Sequence, residues 1–223
     1  QLINVSVDAS VISSLINNKR LIQTNGGQVL IAANSANDLM GSVINNKGSI
    51  VADGVSVQGG VVTLTASTIN QTGSVSSNSA SSAGGNITMA AKEVNLSSAS
   101  KTLATGVQSG GQINMHAANA VNVNAGAIVN ASALQNGNGG AIAINAPVIN
   151  LKGQVIAQGG AQLGNGGKIS TTTSSLNVDN NTVIDASASN GQAGLWTINM
   201  SEINLDQNLA NLISATLNST NVV

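Results

Sequence analysis

Cysteine, phenylalanine and tyrosine are absent from the 223 residues, and proline and tryptophan occur once each. Without cysteine there is no disulfide framework, and its absence fits a chain that crosses an oxidising compartment unfolded. Charge is also scarce: 7% of residues are Asp, Glu, Lys or Arg, and seven cations against eight anions leave a net charge of −1. Scattered cations without aromatic platforms neither neutralise a run of phosphates nor stack on bases, so nucleic acid is not expected as a partner. No apolar run approaches the ~18 residues of a membrane-spanning helix, and no membrane insertion is expected. The chain opens at Gln1 without a charged and then apolar leader, which reads as a piece of a larger protein.

Chemistry-bearing groups are equally few. One His, no Cys and eight carboxylates spread along the chain supply no acid, base or nucleophile set, so no enzyme, metal or cofactor is expected. What remains is an apolar content of 42%, with 32 Asn, 28 Ser, 15 Thr and 25 Gly. That much apolar residue excludes intrinsic disorder, and solubility rests on amides and hydroxyls where most proteins use charge.

The chain repeats itself. Gly-Gly pairs end at Gly27, Gly60, Gly85, Gly111, Gly140 and Gly167, and Ala193-Gly194 follows, so the period is about 27 residues, with 33 in the first unit. After each pair comes an alternating run: Val29 and Ile31, Val62 and Leu64, Ile87 and Met89, Ile113 and Met115, Ile142 and Ile144, Ile169 and Thr171, Trp196 and Ile198. Period two is a strand signal. A second alternation follows at Val94 and Leu96, Val121 and Val123, Val148 to Leu151, Leu176 and Val178, and Ile203 and Leu205. A third lies at 126–132, 153–159 and 181–187, its inward parity left open by the sequence.

Three strands this short cannot close a core alone, and few two-residue turn signals exist to make hairpins. Stacking coil on coil is the remaining solution, which predicts an all-β, right-handed parallel β-helix, with the hand taken from the crossover rule. Eight or nine coils at about 4.8 Å each make a rod about 40 Å long. Its narrow bore suits aliphatics and excludes most aromatics. Glycine pairs are expected to supply positive φ at one corner, and Asn at corners to stack as amide ladders. Two stretches read instead as short helical insertions: 10–23, with Val11, Ile12, Leu15 and Ile16, and 33–43, with Leu39, Met40 and Val43. Residues 54–223 read as regular coils of one segment spanning 1–223. The apolar tail at 209–223 is expected to fold back, pair with another copy or stay mobile, since cut coils leave unpaired strand edges.

Individual residues point to structure. His116 has no second ligand near it and alternates outward from Met115. Trp196 aligns with Ile169 and Ile142 and reads as core. Asp179 and Asp185 are six residues apart across a corner, an unsuitable spacing for paired carboxylate catalysis. The Gly-Asn-Gly-Gly runs ending at Gly140 and Gly167 read as corners, because no Lys-Ser or Lys-Thr follows to hold a phosphate. Eight Asn-x-Ser/Thr triplets, at Asn4, Asn70, Asn86, Asn95, Asn130, Asn180, Asn199 and Asn218, are candidate glycan acceptors, against about six expected by chance.

Residues 3–53 run "INVSVDASVISSLINNKRLIQTNGGQVLIAANSANDLMGSVINNKGSIVAD". The order of "LI", "NNK" and "LI", then "NGGQVL", then "VINNKG", resembles the filamentous haemagglutinin family of two-partner-secreted exoproteins, where the secretion domain ends; on this resemblance 1–53 is the end of that domain or the first coils. Residues 186–205, "ASASNGQAGLWTINMSEINL", are similar to the family's Gly-x-x-Gly-x-Trp-x-Ile segment, although Asn199-Met200-Ser201 stands where members often carry Asp-Pro, and 212–223 resemble the start of the next repeat. The resemblance implies a large Gram-negative exoprotein, exported through an outer-membrane secretion barrel to the cell surface or medium. There its β-helical shaft serves attachment to a host-cell receptor or glycan, as a monomer. Other members are haemolysins, haem-acquisition proteins and contact-dependent toxin carriers, so a glycan- or haem-carrier-binding module on the loops and the 10–43 insertions, or a toxin carrier's stalk, are the alternatives.

Overall fold

The structure is a computed structural model describing residues 1–7, 14–34 and 41–223. The chain winds as a parallel β-solenoid of about eight turns with about 27 residues per coil. Each complete coil has three strands, shown in the sixth by Ala141–Asn145, Val148–Leu151 and Gln154–Ile156. First and second strands belong to one 14-stranded sheet, because Asn86–Leu96 and Gln112–Val123 run unbroken through the bend between them. Third strands form a separate 7-stranded sheet.

Register converts the sequence repeat into a core. In the first strands Ile3, Val29, Val62, Ile87, Ile113, Ile142, Ile169 and Trp196 form one column, each paired with its equivalent in the next coil. In the second strands Ile16, Ile44, Ile69, Val94, Val121, Ile149 and Leu176 form another. The third column resolves the open parity: Ile22, Ile50, Val75, Thr102, Val129, Val155 and Ile184 face inward. From Val29 to Trp196 the first column is at most 1% exposed, and each such aliphatic contributes roughly 1.5–3 kcal/mol by leaving water. Trp196 fits because Thr171 in the preceding coil replaces the larger aliphatic of its column and accepts a hydrogen bond from the indole Nε1 at 3.2 Å.

Glycine pairs have a different role from the one expected. Positive φ occurs at Gly26, Gly41, Gly126, Gly137 and Gly164, and of these only Gly26 belongs to a repeating pair. The requirement at the pairs is space: a Cβ on Gly60, Gly85, Gly111, Gly140, Gly167 or Gly194 would meet the carbonyl oxygen of the equivalent glycine one coil earlier, far inside van der Waals contact. That oxygen accepts the inter-coil bond to the following residue, as from Ala141 N to Gly111 O at 2.9 Å. Glycine N–H groups also close each coil on itself, as from Gly140 to Ala131 O at 2.7 Å.

The helical insertion expected at 10–23 is corrected where it is described: Ser14–Asn18 and Leu21–Gln23 are strands. Leu15 and Ile16 carry a helix-like spacing, but Ile16 pairs with Ile44, and the stacked column outweighs local preference. Val11 and Ile12 lie outside the described residues. In the second stretch Ala33 ends a strand and Ser42–Asn46 is another, while Leu39 and Met40 lie outside the described residues.

Ile203 and Leu205 do not form the expected second strand of the eighth coil. They are 61% and 57% exposed, and the chain proceeds to one helix, α1 (Gln207–Thr216). Asp206 caps α1 by accepting from Leu209 N at 2.8 Å. Leu209 and Leu212 are buried where α1 packs on the second and third strands of the seventh coil. The tail therefore folds back, then adds Asn221–Val222 beside Leu195–Met200. Thr220 completes the closure: its hydroxyl accepts from Ala186 N at 2.8 Å, where earlier coils use a main-chain oxygen, as Ala157 N does with Asp185 O.

Candidate functional site

The outward positions of the second strands hold one continuous feature. Asn17, Asn45, Asn70, Asn95, Asn122, Asn150 and Asn177 stack along the rod, each Nδ2 donating to the Oδ1 of the Asn one coil earlier at 2.6–3.0 Å. At the corner after the second strand one rung of the expected kind exists, Asn18 Nδ2 donating to Asn46 Oδ1 at 2.8 Å, but the long ladder runs along the middle of a sheet face. The physical reason is register: inter-coil pairing holds these residues about 4.8 Å apart, the spacing at which side-chain amides chain together as main-chain amides do. Corners also carry a second device in which a side-chain oxygen receives the next coil's main-chain N–H. Examples are Asn138 with Asn165 N and Asn165 with Gln192 N, both at 2.9 Å.

Outward residues of the first strands make a second face, with Thr63, Thr88, Asn114, Ala143, Ser170 and Thr197 in one row. His116 stands exposed in the next row, between Ala90 and Asn145. The third side is built of loops between the third strand and the glycine pair. These loops carry exposed aliphatics: Val55 at 66%, Val57 at 50%, Leu134 at 49% and Leu163 at 64%. The bend between first and second strands forms an open cleft of about 570 Å³ at the later coils, lined by Asn145, Pro147, Thr172, Ser174, Ile198, Asn199 and Met200 among others.

Candidate residues from the sequence are not brought together. Asp179 Oδ1 accepts from Asn181 N at 2.8 Å and shapes a turn. Asp185 accepts from Ser187 N at 2.8 Å and from Gln158 Nε2 at 2.7 Å, also as a turn group. Among the described residues no three His, Asp or Glu gather to hold a metal ion. Trp196 is fully buried and presents nothing to a ligand.

The eight glycan-acceptor candidates divide by environment. Asn70 and Asn95 have their Nδ2 committed inside the ladder. Asn130 is half-buried and accepts from Ser132 N at 2.8 Å. Asn4, Asn86, Asn180, Asn199 and Asn218 are exposed, and Asn199 Nδ2 donates to Thr172 Oγ1 at 3.4 Å.

Sequence reasoning missed the ladder as a face of the molecule, although its signal was present: an Asn lies between the two inward aliphatics in Val94-Asn95-Leu96, Val121-Asn122-Val123, Ile149-Asn150-Leu151 and Leu176-Asn177-Val178. No helix among the described residues is long and apolar enough to cross a membrane. The chain matches no family model, no curated protein and no solved structure.

Proposed function

We propose that the chain is a rigid β-helical segment of a large secreted or surface-exposed bacterial adhesin of the filamentous haemagglutinin kind, which presents or mediates attachment to host cells and surfaces. The observation that carries this reading is the seven-residue Asn ladder, an uncharged row of hydrogen-bonded amides running along coil after coil. Such a rod holds contacts at fixed spacing, and weak contacts repeated at fixed spacing gain strength together. The resemblance of 3–53 to the secretion-domain end of that family supports export through an outer-membrane barrel, and the thin inventory of acids, bases and nucleophiles supports a role without catalysis. In this reading the chain acts as a monomer within its parent.

A second reading is a specific binding module for a glycan or a haem carrier. It is favoured by the exposed aliphatics Val55, Val57, Leu134 and Leu163 on the loop side. Both readings are tested by measuring binding of the purified chain, its β structure checked by circular dichroism, to epithelial cells, red cells and a glycan panel. Saturable, competable binding supports attachment through these residues. A folded chain that binds none of them is a stem, and one that cleaves polysaccharide overturns the non-catalytic reading.

A further inference from the structure

The segment that leaves the solenoid at its eighth coil has the length and the pattern of a coil. Ile169 pairs with Trp196, 27 residues on, and Trp196 pairs with Val222, 26 residues on, so the excursion through α1 preserves the period. Within it, Ile203-Asn204-Leu205 repeats Ile149-Asn150-Leu151 and follows Leu176-Asn177-Val178 by 27 residues. In those two strands the flanking aliphatics are buried and the Asn is a ladder rung, whereas Ile203 and Leu205 are 61% and 57% exposed. The ladder stops at Asn177, the residue beside which Asn204 would stand. Leu212 is also placed for both arrangements: it is buried under α1, and it follows the inward Ile184 by 28 residues.

We propose that residues 201–220 form a two-state cap. In one state α1 closes the end of the core. In the other, 203–205 pairs with Ser175–Val178 as the second strand of the eighth coil, Asn204 becomes the eighth rung of the ladder, and 211–213 stacks on Val183–Asp185. The helical state is weakly held. Its ten residues fall below the ~12–15 at which helices become stable alone, and apart from the N-cap Asp206 no acidic residue in the first turn or basic residue in the last complements its dipole. Asp206, Leu209 and Leu212 hold it in place, and burial of Ile203 and Leu205 with one more amide rung competes against them. The helical state hides the strand edges of the seventh coil, and the strand state presents a fresh parallel edge to whatever stacks next.

Because the chain has no Cys, engineered pairs report the second state directly. In the strand state Asn177→Cys and Asn204→Cys sit in register on adjacent strands at about 4.8 Å, within disulfide range, while Ile203→Cys and Leu205→Cys face inward. The 177/204 pair is expected to oxidise at least ~10-fold faster than 177/203 and 177/205. Removing the cap with Asp206→Ala is expected to raise that rate about fivefold. Equal rates for the three pairs, no 177/204 bond in either background, or a 177/204 rate indifferent to Asp206→Ala would overturn the proposal. Hydrogen exchange on the chain with only Asp206→Ala gives the same decision without Cys. Amides of 203–205 should gain protection as those of α1 lose it, and joint loss would mean that the end merely frays. Unchanged emission from Trp196 reports intact coils in each variant.

Discussion

The indole nitrogen of Trp196 donates to the hydroxyl of Thr171, one coil earlier, at 3.2 Å inside the buried bore. Thr171 faces inward at the place that Ile144 holds in the preceding coil. Its smaller side chain makes room for the indole and gives the buried N–H a partner. Thr171→Val keeps the volume and removes the acceptor, and a buried unpaired donor costs about 1–3 kcal/mol. The urea midpoint, followed by emission of the only Trp, should fall accordingly, while Thr171→Ser should retain most of the stability. Equal midpoints for Val and wild type would mean the bond contributes nothing.

Gly140 tests the steric account of the glycine pairs. Its φ lies outside the left-handed region, so conformational preference alone makes Gly140→Ala harmless. The neighbouring Gly111 oxygen makes it severe, because the added methyl must push the coils apart and break the Ala141 to Gly111 bond. A loss of about 3 kcal/mol or more is expected in urea unfolding. A loss below about 1 kcal/mol would return the explanation to backbone conformation.

The ladder predicts a gradient. Asn122→Ala removes two side-chain bonds, to Asn95 and from Asn150, while Asn177→Ala removes one. At about 0.5–1.5 kcal/mol per bond, the inner variant should lose about twice as much stability as the outer one. Equal small losses in both would show that water replaces the rungs at no cost.

Leu134 and Leu163 are surface residues whose replacement leaves the fold alone. Leu134→Ser with Leu163→Ser should change stability by less than about 0.5 kcal/mol, because they are 49% and 64% exposed. Binding to cells should be unchanged if the flat faces make contact. Binding that falls with stability intact would move the contact to the loop side.

The strands and their columns were legible because alternation and a 27-residue period repeat the same statement many times. Ile87, Ile113 and Ile142 align by their equal spacing behind the glycine pairs, and they pair in that order. The N-terminal strand Ser14–Asn18 was not legible, since Leu15 and Ile16 read equally well as one turn of helix and only pairing with Ile44 decides between them. The same ambiguity acts in reverse at the other end, where Ile203 and Leu205 look like strand and stay outside it. For the surface, composition announced amides without charge, but which Asn would stand in line depends on coil-to-coil register.

Sequence alone determined that this chain must stack: short apolar alternations, glycine pairs and scarce charge admit a core only by repetition. Tertiary structure alone decided how the coils meet. The third-strand parity, the exclusion of a Cβ from Gly140, the alignment of seven Asn and the choice of helix over strand at 207–216 all depend on contacts about 27 residues apart. Local preference is a property of neighbours in sequence, and these features are settled by neighbours in the next coil.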